Sequence, residues 1–196
     1  MIKRIFDIFF SLVVLAILSP ILFVVIVFIL SDSRGGAFFH QIRVGKDGVE
    51  FKLHKFRTMK PAAENSGQLT VGMRDSRITK VGYYLRKSKL DEMPQLWNIL
   101  VGEMSVVGPR PEVPKYVALY NVQQRLVLSV KPGLTDYASI KFVKENEILE
   151  KSSNPEQTYI DEIMPEKLAL NIEYISDQNF GVDLMIIFKT VIAILK

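Results

Sequence analysis

Asp91 and Glu92 are the adjacent carboxylates best placed to do chemistry in a chain whose other reactive side chains are few. The 196 residues include no cysteine, which excludes a thiolate nucleophile, a zinc–thiolate site and a disulfide scaffold. Histidine occurs only as His40 and His54, in a strand-like stretch where both read as edge-strand residues rather than ligands. Acids, bases, nucleophiles and metal ligands must come from carboxylates, Lys and Arg, with hydroxyls as outsiders. Asp91-Glu92-Met93-Pro94 has the acidic residues and early proline of a helix start, where free N–H groups and the positive dipole end favour negative charge. That preference alone accounts for most Asp-Glu pairs. Neighbours on a helix point about 100° apart, so these two do not face each other as a proton-sharing dyad, but they can hold separate tasks at one site. Four basic residues add weight to that reading. Lys55 and Arg57 leave a predicted hairpin, Arg86 precedes Asp91 by five residues, and Arg110 is held between Pro109 and Pro111. Guanidinium forks suit phosphate oxygens, so several of them converging on a carboxylate pair would suit a phosphorylated substrate bridged by a metal ion.

The elements that must position these residues begin with a membrane-embedded segment. The chain is 48% hydrophobic with a mean hydropathy of +0.18, and the apolar excess is concentrated in Ile8–Leu30, 23 residues without a charge. As a helix it would extend about 34 Å, enough for the hydrocarbon core of a bilayer. It exceeds the apolar run of a cleavable signal peptide and no clean cleavage site follows it. Ser19-Pro20 lies at its middle, so a kink or break is expected there. Basic residues flank both ends, Lys3 and Arg4 before and Arg34, Arg43 and Lys46 after. A helix that enters, bends and returns accounts for both flanks, and a proline-kinked single span fits the same residues equally.

Beyond Gly35-Gly36, Phe39–Val44 and Val49–His54 alternate around Gly45-Lys46-Asp47-Gly48, which predicts a β-hairpin. Residues 60–77 are polar without a period and read as a mobile loop. Helices are expected over Ile78–Arg86, from Asp91 to Gly102, over Lys115–Val130 and over Pro165–Ile175. The apolar run Phe180–Leu195 is short for a span and reads as an interfacial or core helix. With 25 basic and 21 acidic side chains the net charge is +4, too modest for a nucleic-acid footprint, and no aromatic–basic stacking motif accompanies it. A membrane segment followed by a domain rich in Arg, Lys and carboxylates implies a substrate that is part lipid and part phosphate.

Several motifs occur in order: Lys55-Phe56-Arg57-Thr58-Met59, Arg77-Ile78-Thr79, Leu85-Arg86, Leu90 to Asn98, Gly102 to Pro111, and Pro132-Gly133-Leu134-Thr135. In these, and in the Ser19-Pro20 and Glu173-Tyr174 regions, the chain closely resembles the bacterial sugar transferases of the monotopic phosphoglycosyl transferase superfamily. It looks like their small form, a catalytic core without additional transmembrane helices. The resemblance implies a mixed α/β, mostly helical fold: a re-entrant helix-break-helix over residues 1–34 with its break at Ser19 and Pro20, then a cytoplasmic-face catalytic domain over 35–196. That domain would hold a short β-hairpin, a helical core and interfacial amphipathic helices.

The implied reaction transfers a sugar 1-phosphate from a UDP-sugar to polyprenol (undecaprenyl) phosphate at the bacterial inner membrane. It releases UMP and begins assembly of a surface glycan. By resemblance, Asp91 is the nucleophile forming an aspartyl-phosphosugar and a contact for the required Mg²⁺, and Glu92 helps deprotonate the lipid phosphate. Lys55, Arg57, Arg86 and Arg110 form the basic neighbourhood that holds phosphates. Two alternatives remain: direct metal-assisted displacement on the same substrates, and a non-catalytic module presenting basic loops to anionic lipid. The chain departs from the family pattern at Asp136, where many relatives carry Gly. Because Gly alone takes positive φ freely, the loop path there, and with it sugar or nucleotide contacts, is expected to differ. Glu103 and Met93 stand where Asp and Leu are frequent. The sequence says little about oligomeric state, and a homo-oligomer stays open.

Overall fold

The apolar run forms one helix, α1 (Ile2–Asp32), about 46 Å long and the one described helix long and apolar enough to cross a membrane. The structure is a computed structural model, and it describes residues 1–61, 63, 70–72 and 75–195. Helical structure continues through Pro20, where the expected interruption was placed. The physical reason is local. Proline has no N–H to offer the carbonyl four residues back, and the Ser19 hydroxyl donates to that same Ala16 oxygen at 2.9 Å.

Both ends of α1 are fastened to the same body through the polar residues flanking its apolar run. At the start, the Lys3 ammonium pairs with Asp183 at 2.6 Å, and Arg4 donates to the carbonyls of Ile99 and Leu100. Asp7 is buried and accepts from the Ser105 hydroxyl at 3.1 Å and the Val106 N–H at 2.9 Å. At the far end, Asp32 accepts the Val81 N–H at 2.9 Å, while the buried Arg57 guanidinium donates to the Ser33 and Arg34 carbonyls. Between these tethers one face packs inward and the other leaves Phe9, Leu12, Ile17, Phe23, Val27 and Phe28 exposed.

The hairpin follows as expected, with β1 (Phe38–Val44) antiparallel to β2 (Glu50–Phe56) in a register that places His40 opposite His54. The base of the 60–77 loop is closed by pairing of Met59 with Ile78 and by the Lys60 N–H donating to the Arg77 carbonyl at 2.9 Å. The rest of the expected mobile loop lies largely outside the described residues. Then come α2 (Lys80–Lys87), a 3-10 turn at Leu90–Glu92 and α3 (Gln95–Val101). Strand β3 (Ser105–Val107) is followed by α4 (Pro114–Val117), and β4 (Gly133–Thr135) pairs parallel with β3. Short helices α5 (Tyr137–Lys141), α6 (Glu145–Glu150) and α7 (Pro155–Thr158) lead to α8 (Met164–Asp177) and α9 (Phe180–Leu195).

The helix expected over Lys115–Val130 is corrected to α4 and a separate 3-10 segment, Gln124–Ser129. Tyr116, Val117, Tyr120 and Val127 keep the spacing of a helical stripe and are buried, but Asn121 and Gln124 each accept the other's backbone N–H at 2.9 Å, a capping box that stops the first helix and starts a separate turn. Three apolar clusters carry the packing. One joins Phe6, Phe10 and Val14 of α1 to Leu53, Leu96, Ile99, Met104 and Tyr174. A second joins Val25 and Ile29 of α1 to Phe56 and Leu85, and the third lies under α8 around Tyr116, Leu149 and Tyr159. Phe6 meets Phe180 edge-on at 5.3 Å, which places the start of α9 beside the start of α1.

Candidate active site

Three separate chain segments converge on the turn that carries Asp91 and Glu92. Lys55 continues the inward face of Phe51 and Leu53 on β2, so strand alternation aims its stem at the interior. Arg86 lies in the last turn of α2, a helix that Thr79 starts by accepting the Gly82 N–H at 3.0 Å. A Cβ on Gly82 would sit 2.1 Å from the Thr58 carbonyl oxygen, so glycine is what allows α2 to press onto the end of β2. That approach brings Arg86 Nε to Thr58 Oγ1 at 2.9 Å. Arg110 is delivered by the chain leaving β3. Asp91 and Glu92 sit in the 3-10 turn after Lys89, whose left-handed φ of 58° turns the chain before α3 begins at Gln95.

The two carboxylates differ in their partners. Glu92 Oε1 receives the Lys55 ammonium at 3.4 Å and a direct bond from the Arg110 guanidinium. Although burial opposes it, the field of Arg110 and Lys55 holds Glu92 well below the ordinary carboxylate range, so it is an anion locked between two cations. Asp91 is 8% exposed and accepts no hydrogen bond and no ion pair from the described residues. Burial and the adjacent Glu92 charge push its carboxyl up from the ordinary aspartate value, against the opposing fields of Lys55, Arg86 and Lys89. Helix-terminus placement alone predicted an unstrained anion, and desolvation reverses the direction. Lys55 is itself lowered to about 8 by burial, with Glu92 opposing.

Lys55, Arg86 and Arg110 therefore gather around the carboxylates. Arg57 does not: its guanidinium is spent on the Ser33 and Arg34 carbonyls just beyond the end of α1, with Ser33 Oγ also accepting at 3.1 Å. Ser19 and Pro20 are exposed at mid-helix, and the Ser19 hydroxyl bonds within the helix rather than to this cluster. Sequence reasoning passed over Lys89 and Arg43. Arg43 donates to Glu112 Oε1 at 3.1 Å behind Arg110, and Tyr159 donates to the same carboxylate. The Gln41–Arg43 alternation on β1 was the only signal for it. At Asp136 the backbone is extended, with φ −158° and ψ 178°, so no left-handed conformation is asked of it. Its carboxylate caps α5 by accepting the Ser139 N–H at 2.6 Å.

No cluster of three or more His, Asp or Glu side chains able to hold a metal alone exists among the described residues. A single bare carboxylate beside a cationic surface does fit Mg²⁺, which keeps most of its shell in water and substrate phosphate oxygens and takes one or two protein carboxylates. Asp91, with its lone pairs unclaimed, is the residue able to offer that contact.

A family model described as bacterial sugar transferase matches residues 1–196. A UDP-glucose:undecaprenyl-phosphate glucose-1-phosphate transferase of Klebsiella pneumoniae is 36% identical over 197 residues, covering 96% of this chain and 39% of that protein. A putative undecaprenyl-phosphate N-acetylgalactosaminyl 1-phosphate transferase of Bacillus subtilis is 46% identical over 115 residues, covering 59% of this chain and 64% of that protein. The exopolysaccharide production protein ExoY of Sinorhizobium fredii is 34% identical over 207 residues, covering 98% of this chain and 84% of that protein. The chain thus spans about two fifths of the Klebsiella relative and less than two thirds of the Bacillus one.

Proposed function

Because the chain belongs to the bacterial sugar transferases, we infer that it moves a sugar 1-phosphate from a UDP-sugar to undecaprenyl phosphate at a membrane, releasing UMP, as the first step of a surface glycan. The observation that carries the mechanism is the inequality of the two carboxylates: one saturated by cations, the other buried and bare. An Asp91 oxygen attacks the phosphorus that bears the sugar, the bond to the UMP oxygen breaks, and UMP leaves with that electron pair. An oxygen of the lipid phosphate then attacks the same phosphorus and returns Asp91 to its carboxylate. Splitting the displacement lets the nucleotide depart before the membrane-bound acceptor arrives. Desolvation makes the ionised Asp91 a stronger nucleophile, while Lys55, Arg86 and Arg110 offer fixed positive charge to the diphosphate. Mg²⁺ bound at Asp91 would neutralise phosphate charge. Glu92 holds Lys55 and Arg110 at that surface and is placed to receive the lipid phosphate's proton only when those cations turn to substrate.

The re-entrant reading of α1 is supported by its tethers. Both ends of α1 are bound to one folded body, which supports a reading with both flanks on one side of a bilayer and the exposed apolar residues of α1 and of α9 (Leu184, Phe188, Val191) in contact with lipid. By the positive-inside rule that side is cytoplasmic. The test of the reaction is UMP release with Mg²⁺, undecaprenyl phosphate and a panel of UDP-sugars. Release by the parent and none by Asp91→Asn is expected, whereas full turnover by Asp91→Asn removes Asp91 from the reaction.

A further inference from the structure

Resting on the activity inferred above, we propose that Asp136 is a positioning residue that sets Arg110 against Glu92. Strands β3 and β4 meet where a Cβ on Gly133 would lie 2.1 Å from the Gly108 nitrogen, so the two backbones close to a distance only glycine permits. Beyond that crossing the chain runs Pro109-Arg110-Pro111 on one side and Asp136 on the other. The prolines carry no N–H, so Arg110 holds the one backbone donor of the three residues, and Asp136 Oδ2 accepts it at 3.0 Å. Asp136 Oδ1 meanwhile takes the Ser139 N–H, and the residue is completely buried. Both carboxylate oxygens are thus engaged, one fixing α5 and the other fixing the backbone of Arg110. The Arg110 guanidinium in turn bonds Glu92 and leans toward the Leu134 carbonyl at 3.5 Å. Asp136 also places a second negative charge near Arg110, supporting its cationic form together with Glu92. The sequence departure at this position therefore gives a specific connection: a buried carboxylate, without access to substrate, that ties the loop after β4 to the phosphate-facing guanidinium.

Asp136→Asn keeps one acceptor, and Asn caps a helix as well as Asp does, so α5 stays capped while only one of the two N–H groups is satisfied. Asp136→Ser retains the cap with a single oxygen too short for Arg110 and serves if the first variant folds poorly. The direct readout is amide hydrogen exchange over Pro109–Pro111, where every exchanging backbone proton belongs to Arg110. We expect its exchange to accelerate at least about tenfold in either variant, while the Phe142 amide, bonded to Ala138 at 2.8 Å in α5, keeps its protection. Unchanged protection at Arg110, or equal loss across α5, would overturn the proposal. The functional readout is a double-mutant cycle. Turnover should fall about 10- to 100-fold in Asp136→Asn, as when a positioned group is displaced by about 1 Å. Arg110→Lys with Asp136→Asn should then be no slower than Arg110→Lys alone, within about twofold. Losses that multiply would mean Asp136 acts elsewhere. If the parent transfers no phosphosugar from any donor, the inferred activity fails while the exchange result still decides whether Asp136 holds Arg110.

Discussion

Replacing Glu92 by Gln keeps the shape of the side chain and removes the charge that holds Lys55 and Arg110 together. The Glu92 side chain is 13% exposed, and its partners are 18% and 28% exposed. Breaking a fully buried pair by deleting one charge costs about 3–5 kcal/mol, and an exposed pair is worth about 0–1 kcal/mol. With solvent still reaching Arg110, the intermediate figure of about 2 kcal/mol applies. At this chain length that corresponds to a fall in Tm of about 4–8 °C, read by thermal unfolding in detergent micelles near pH 7. The pH dependence fixes the cause. The folded-state pKa of Glu92 is depressed, so its contribution is complete above its unfolded value of about 4.3 and is lost as the pH falls toward the folded value. The gap between parent and Glu92→Gln should therefore narrow below about pH 4. Lys55, deprived of its counter-charge, should titrate below its present value of about 8. A Tm within about 1 °C of the parent, or a gap that stays constant down to pH 3, would refute the reasoning.

Asp91→Asn should behave oppositely in stability: removing a buried, unpaired charge whose pKa is raised should lift Tm by about 2–4 °C at pH 7 while abolishing turnover, and a lower Tm would count against the bare-carboxylate picture. Asp7→Ala leaves the buried Ser105 hydroxyl and Val106 N–H without their acceptor, an expected loss of about 2–3 kcal/mol by denaturant unfolding. Ile99→Ala, at a fully buried position between α1 and the strands, should cost about 2–5 kcal/mol in the same assay. Arg57→Ala should free the end of α1. A cysteine introduced at Gly36 should then react faster with a polar maleimide than in the parent, still from the same membrane side as one introduced at Met1, and labelling of the two from opposite sides would end the re-entrant account.

Much of this was legible in the sequence because it rests on local chemistry. Imperfect alternation on either side of the turn residues Gly45–Gly48 is sufficient for the hairpin, and Gly102 ends α3 by adopting a left-handed φ of 94°. The Asp91-Glu92 pair and three of its four expected basic neighbours were likewise readable, since residue type and turn position announce them. What was hidden depends on long-range partners. Arg57 looks like any cation leaving a strand until Ser33 and Arg34 are seen to occupy it. Pro20 signals a break until Ser19 supplies the missing hydrogen bond. The β3–β4 pair is three residues on each side and parallel, too short for a pattern, and the direction of the Asp91 shift depends on burial that no spacing reveals.

The covalent step can be measured directly by the intact mass of the purified protein after incubation with Mg²⁺ and a panel of UDP-sugars, with no lipid phosphate present. The account predicts a gain equal to one sugar phosphate with one or more donors, absent in Asp91→Asn and discharged when undecaprenyl phosphate is added. Turnover of a donor in the presence of undecaprenyl phosphate, with no mass gain in its absence, would contradict it and assign Asp91 to direct displacement instead.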